Sequence, residues 1–188
     1  MENKILIVTA LSLEFDAIRI HLKDTQLKDH PGTGSKYLTG KYFFEKKSFN
    51  VLLVESGAGN IRAADETSRA ISYFNPGYTF FSGIADGIKD VILGDVVIAS
   101  KIIGYEVGKE KEEFMPRYDS ITVSYELEQI GKQLKRESTD GFSILVGPIA
   151  SGEKVVASTK SVTYSYLKKY CSDALAVDME NGRSGCFE

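Results

Sequence analysis

Cysteine is scarce in this sequence: only Cys171 and Cys186 occur, and they match neither a metal-ligand nor a redox spacing. A disulfide-stapled scaffold and a cysteine-ligated metal site are thereby excluded, and both residues read as free thiols of a reducing compartment. An excess of positive charge is also lacking, with 23 Lys and Arg against 26 Asp and Glu and a net charge of −3. That balance, without a stripe of interleaved aromatic and basic residues, excludes a broad nucleic-acid footprint. No apolar run approaches the length of a membrane span. The N-terminus passes from Met1-Glu2-Asn3-Lys4 straight into Ile5-Leu6-Ile7-Val8, too soon for a secretion signal, so a cytoplasmic protein with no membrane partner is expected. Internal repeats and low-complexity segments are absent. What is present, 188 residues with 43% hydrophobic and 26% charged, is the composition of one globular domain able to build a core without covalent staples.

The apolar pattern alternates between two periods. Ile5-Leu6-Ile7-Val8 is continuous, as in a strand buried on both faces, and Leu11, Phe15, Ile18 and Leu22 then recur at helical spacing behind Ser12 as cap. The polar stretch 24–35 reads as loop. Residues 37–44 and 49–55 read as a hairpin joined by Glu45-Lys46-Lys47-Ser48. A helix follows in which Ile61, Ala64, Ser68 and Ile71 share a face, ending at Asn75-Pro76-Gly77. Strands are expected at 78–81, 95–103, 143–149 and 174–177, helices at 125–134 and 161–170, and an irregular, charged excursion at 104–120. Strands alternating with helices predict an α/β fold: a three-layer arrangement of a mixed, mostly parallel β-sheet flanked by helices.

In open α/β sheets ligands bind outside the carboxyl ends of the strands. Five segments fall there. Thr9-Ala10-Leu11-Ser12-Leu13-Glu14 places an acid in the first helical turn, where it either stabilises the helix dipole or serves a ligand. Ser56-Gly57-Ala58-Gly59 precedes a helix whose amides can face an anion or polar group, or whose glycines simply make a tight turn; Arg62 is open to the same two readings. Ser82-Gly83-Ile84-Ala85-Asp86-Gly87 is followed by the Gly94-Asp95 pair that starts a strand. Ser151-Gly152-Glu153-Lys154-Val155-Val156 carries Lys154, either an exposed loop lysine or a contact for a 5′-phosphate. Val177-Asp178-Met179-Glu180 ends the last apolar strand with two acids, which either cap a following helix or accept hydrogen bonds from a diol.

These five motifs, in this order and spanning residues 4–180, resemble the nucleoside phosphorylase superfamily, and within it the methylthioadenosine/S-adenosylhomocysteine nucleosidases. The resemblance implies a nucleoside phosphorylase-like domain over residues 1–180 with an irregular tail at 181–188. It implies a purine-nucleoside site bounded by Glu14 and the Val177–Glu180 motif, no cofactor and no metal, and a homodimer. By the same resemblance Glu14 orients the attacking water, in place of the Gly-rich, Arg-bearing phosphate loop of the phosphorylases. Hydrolysis of the N-ribosidic bond of an adenine nucleoside is therefore expected, with phosphorolysis and a catalytically impaired nucleoside-binding module as the alternatives. Ala10, Gly57, Ile84, Ala85, Asp86, Gly87, Val155, Val156, Asp178, Met179 and Glu180 are the expected substrate-binding positions. Glu180 would hold the ribose hydroxyls, Met179 would pack on the sugar, and Val155 would meet the purine.

Three departures from the family pattern stand out. Ile84 occupies a position where relatives carry a small hydroxyl residue, Asp86 one where glycine is usual, and Val155 one where an aromatic stacks on the base. The family's general acid, an Asp at the end of a further strand, has no counterpart after Glu180 in this sequence. The C-terminal part of the family domain is expected to be missing, which would weaken catalysis by the chain as it stands.

Overall fold

The structure, a computed structural model, describes residues 4–110, 114–117, 119–138, 141–154 and 160–179. The chain divides into two compact units, Met1–Ile84 and Ala85–Glu188.

In the first unit the elements run β1 (Lys4–Thr9), α1 (Ser12–Arg19), β2 (Lys23–Asp29), β3 (Lys36–Phe44), β4 (Lys47–Glu55), α2 (Asn60–Phe74) and β5 (Tyr78–Phe81). They form a five-stranded sheet in the order β2-β3-β4-β1-β5. β1 pairs in parallel with β4 and with the edge strand β5, while β2, β3 and β4 form an antiparallel meander. The continuous apolar run of β1 has the expected cause, because the sheet is covered twice. Leu6 and Val8 join Leu52, Val54 and Tyr37 beneath Ala70, Ile71 and Phe74 of α2. Ile5 and Ile7 join Val51 and Leu53 beneath Phe15 and Ile18 of α1. Alternate residues of one strand thus serve two helical layers, as a period of two requires.

Three expectations are corrected here. Residues 23–29 are a strand rather than loop: β2 is exposed along its whole length, so it carries no hydrophobic alternation, and its charged side chains are those of a protected sheet edge. The buried face of α2 is Ala63, Glu66, Thr67 and Ala70, one position away from the expected stripe, and Ile61 lies on the exposed side. Glu66 is accommodated because its carboxylate accepts from Ser35 Oγ at 3.0 Å and pairs with Arg69 at 2.9 Å. Ser12 is the first helical residue of α1, and the N-cap position belongs to Leu11.

The second unit contains β6 (Asp86–Gly87), β7 (Val96–Gly104), β8 (Gly108–Glu110), β9 (Phe114–Pro116), β10 (Asp119–Thr122), α3 (Tyr125–Glu137), β11 (Ile144–Ser151), α4 (Val162–Tyr170) and β12 (Ala176–Asp178). Its sheet has the order β10-β7-β11-β12-β6, with parallel pairs at the centre and antiparallel ones outside. The α/β class and its mixed sheet stand, with the strands shared between two five-stranded sheets and a two-stranded one. The excursion at 104–120 proves partly regular, since β8 and β9 form a small hairpin and β10 extends the sheet by pairing with β7.

Ser124 and Ser161 cap α3 and α4, each accepting from the amide three residues on. Gly131 lets α3 lie close to β7, where an added Cβ would stand 3.0 Å from Ile98. The core of this unit collects Ile88, Ile103, Tyr105, Ala150, Leu167, Cys171, Ala174 and Val177. Among the described residues no helix is long and apolar enough to cross a membrane.

Candidate active site

Parallel strands bring their carboxyl ends to one edge, and in the first unit the loops after β1, β4 and β5 meet there. The Ser56 amide donates to the Thr9 carbonyl at 2.8 Å, and the Ser82 amide to the Val8 carbonyl at 2.9 Å. Into this junction the first turn of α1 turns Glu14, which is only 8% exposed. Its Oε2 accepts from the amides of Ala10 and Leu11, both at 2.9 Å, and its Oε1 accepts from the amide of Ile84 at 2.8 Å. The bond from Leu11 caps the helix, so the structural reading of Glu14 is correct as far as it goes. The bond from Ile84 reaches a residue 70 positions away and has nothing to do with capping.

Every hydrogen bond to this carboxylate among the described residues comes from a backbone amide. A carboxylate has two oxygens with about four acceptor positions. Oε2 has both positions filled and Oε1 has one, which leaves one acceptor direction on Oε1 for a water or hydroxyl. Gly83 is small for a reason: a Cβ there would stand 3.1 Å from Oε1.

Of the expected substrate-binding positions in this unit, Ala10 and Ile84 meet at Glu14 through their backbones. The Ile84 side chain is 64% exposed, so its departure from the family pattern alters surface shape without disturbing the carboxylate. Gly57 has φ +78° and Gly59 φ +105°, conformations that a side chain disfavours. The Arg62 guanidinium folds back over Gly57, 3.4 Å from where a Cβ would be.

In the second unit Ala85, Asp86 and Gly87 are exposed, and Asp86 pairs with Val177 across β6 and β12. Asp178 is buried at the end of β12, and its carbonyl accepts from the Gly152 amide at 3.1 Å; Met179 beside it is half-buried. Structure thus joins the third motif to the fifth, and the fifth to the fourth. Val155, Val156 and Glu180 lie outside the described residues. Lys154 is largely exposed and pairs with Glu106 at 3.2 Å. Asp95 of the Gly94-Asp95 pair has a structural task. It accepts from the Ile92 amide at 2.9 Å and the Ser143 amide at 3.0 Å, which holds its carboxyl below the usual carboxylate range and ties the turn before β7 to the start of β11.

Two residues passed over in the sequence prove central to this unit. Tyr105 and Glu106 leave the end of β7 and grip the segment after β11. The Tyr105 amide donates to the Ser151 carbonyl at 3.2 Å, and the Glu106 Oε2 accepts from the Glu153 amide at 2.7 Å. The Tyr105 ring lies where a Gly152 side chain would be, within 2.4 Å of an added Cβ. Its hydroxyl is buried with no hydrogen-bond partner among the described residues, and burial, then the neighbouring Glu106 and Asp178 charges, push its pKa up to about 12. The available signal was positional, since Tyr105-Glu106 follow a strand end just as the recognised motifs do. Among the described residues no set of His, Cys, Asp and Glu side chains comes together as a metal site.

Comparison with known proteins shows similarity to nucleosidases over most of the chain. The nucleosidase of Haemophilus ducreyi that acts on 5′-methylthioadenosine and S-adenosylhomocysteine is 25% identical over 96% of this chain and 76% of its own. The corresponding enzyme of Buchnera aphidicola is 26% identical, over 97% and 76%. Among solved structures, the Streptococcus pneumoniae nucleosidase with the transition-state inhibitor MT-ImmA is 26% identical, covers 97% of this chain and 77% of its own, and has a TM-score of 0.78. The S-adenosylhomocysteine nucleosidase of Streptococcus pyogenes shares the fold with a TM-score of 0.81, at 24% identity over 98% and 76% of the two chains. The family model described as the phosphorylase superfamily matches residues 4–182, and the chain belongs to that family.

Proposed function

We propose that this protein is a purine nucleosidase that hydrolyses the N-ribosidic bond of an adenine nucleoside such as methylthioadenosine or S-adenosylhomocysteine, acting in the cytoplasm as a homodimer. The observation that carries the reading is the Glu14 carboxylate, held by three backbone amides with one acceptor position of Oε1 open. A fixed acceptor of this kind suits an attacking water, which it orients and from which it can take a proton. A carboxylate with no cation paired to it among the described residues repels phosphate, so the same feature favours hydrolysis over phosphorolysis. Asp178, Met179 and Glu180 take the ribose side, and Gly57, Ile84, Ala85, Asp86, Gly87, Val155 and Val156 the remaining contacts. As positive charge grows on the sugar in the transition state, carboxylates near the ribose stabilise it.

The test is release of adenine and reducing sugar from methylthioadenosine in phosphate-free buffer, with Glu14→Gln lowering the rate by roughly 10² to 10⁴. Turnover that begins only when phosphate is added sinks the reading in favour of a phosphorylase, and tight binding without turnover sinks it in favour of a binding module. For the ribose side, Glu180→Gln is expected to weaken ribonucleoside binding far more than 2′,3′-dideoxynucleoside binding; equal losses remove the diol role. Sedimentation of the purified protein at several concentrations tests the dimer.

A further inference from the structure

We propose that Glu106 is a positioning residue, which sets the base-facing segment 151–154 through the Glu153 backbone. The inference rests on the nucleosidase reading, in which the segment after β11 faces the purine. The segment is held at three main-chain points and one side-chain point. The Ser151 carbonyl accepts from the Tyr105 amide at 3.2 Å, and the Gly152 amide donates to the Asp178 carbonyl at 3.1 Å. The Glu153 amide donates to Glu106 Oε2 at 2.7 Å, and the Lys154 ammonium stands 3.2 Å from Glu106 Oε1. Two of these anchors are bonds between backbone amides and carbonyls, which exchange of a side chain for any residue but proline leaves in place. The third is the carboxylate of Glu106, which holds the amide of Glu153, and among the described residues it is the last main-chain anchor of the segment.

The short, charge-assisted bond to Glu153 is of the stronger class. The ion pair to Lys154 has one partner in solvent, with the lysine side chain 68% and the glutamate side chain 27% accessible, and a pair open on one side contributes less than a buried one. The work of Glu106 therefore lies in the amide bond. It is reinforced from below, where the Tyr105 ring occupies the space above Gly152 and the Tyr166 hydroxyl donates to the Tyr105 carbonyl at 3.2 Å. The residue that precedes the clamp is thereby fixed on both sides of its chain.

The experiment is calorimetric titration of the full chain with two probes, adenine for the base side and 5-methylthioribose for the sugar side. Glu106→Ala and the bulkier Glu106→Met both remove the acceptor, and whichever folds serves. Adenine affinity is expected to fall about tenfold, as loss of a hydrogen bond to a charged group predicts, with sugar affinity within about twofold of the wild type. Glu106→Gln keeps an oxygen for the Glu153 amide and is expected to restore adenine binding to within about threefold. Unchanged adenine affinity in the acceptor-less variant overturns the role, and so does an equal loss for both probes, which marks a merely structural residue. A wild-type chain that binds neither adenine nor the sugar overturns the nucleosidase reading itself, an outcome distinct from both.

Discussion

Glu14 shows how a single side chain can tie a fold together and still keep an acceptor position open. Its carboxylate satisfies two amides of its own turn and a third from the loop after β5. Truncation to alanine leaves buried donors without partners, and Glu14→Ala is expected to cost about 2 kcal/mol in urea unfolding. Gln at this position supplies one carbonyl oxygen, enough for the Ala10 and Leu11 amides or for Ile84 but not for both. Its stability cost should be smaller than that of alanine while its loss of turnover is as large. A Glu14→Gln variant as unstable as Glu14→Ala contradicts the geometry. The position of this acid was legible from its spacing after the β1 run. Its cage was not, because backbone amides carry no residue-type signal and Ile84 sits 70 positions downstream.

At the scale of elements, what the sequence expressed well were segments buried on both faces or ended by strong breakers. The continuous run of β1 and the Asn75-Pro76-Gly77 stop of α2 are of that kind; Asn75 indeed ends its helix in the left-handed region, φ 49°. It expressed poorly what pairing alone creates. β2 has no apolar side to show, and β10 takes its strand conformation from hydrogen bonds to β7. The face of α2 was misjudged because buried Glu66 and Thr67 are polar letters in an apolar stripe. Caps were readable in principle. Ser161 adopts the extended conformation before α4 and accepts from the Tyr164 amide at 3.0 Å. Ser161→Ala is expected to destabilise the protein by about 1 kcal/mol, seen as a lower urea midpoint with an unchanged denaturant slope. An unaltered midpoint means that packing of Leu167 and Cys171 holds α4 without the cap.

For the whole molecule, the buried ionisable groups make alkali the vulnerable direction. Burial pushes Tyr37 and Tyr105 from 10.0 up to about 12 and Cys171 from 9.0 up to about 11. In the unfolded chain these groups lose their protons near pH 9 and 10, whereas in the native state they hold them for about two units more. Between those limits unfolding releases protons, so the stabilisation is fully present below about pH 9 and is lost as pH rises through about 12. Urea midpoints measured from pH 8 to 11 are expected to be level at first and then to fall. Tyr105→Phe removes one contributor and should make the decline shallower. The same change deletes a buried hydroxyl that has no partner among the described residues, so it should also raise stability near neutrality by about 1 kcal/mol. A steeper decline in the phenylalanine variant contradicts this account. The Cys171 thiol should resist alkylation at neutral pH until the protein is unfolded.

The amides that hold Glu14 all fall between Ala10 and Ile84, within the first compact unit. Compact units generally fold in the order in which the ribosome releases them. The Glu14 carboxylate can therefore be caged on the nascent chain before β7, β11 and β12 have emerged from the ribosome, and its assembly is insulated from errors made later in synthesis.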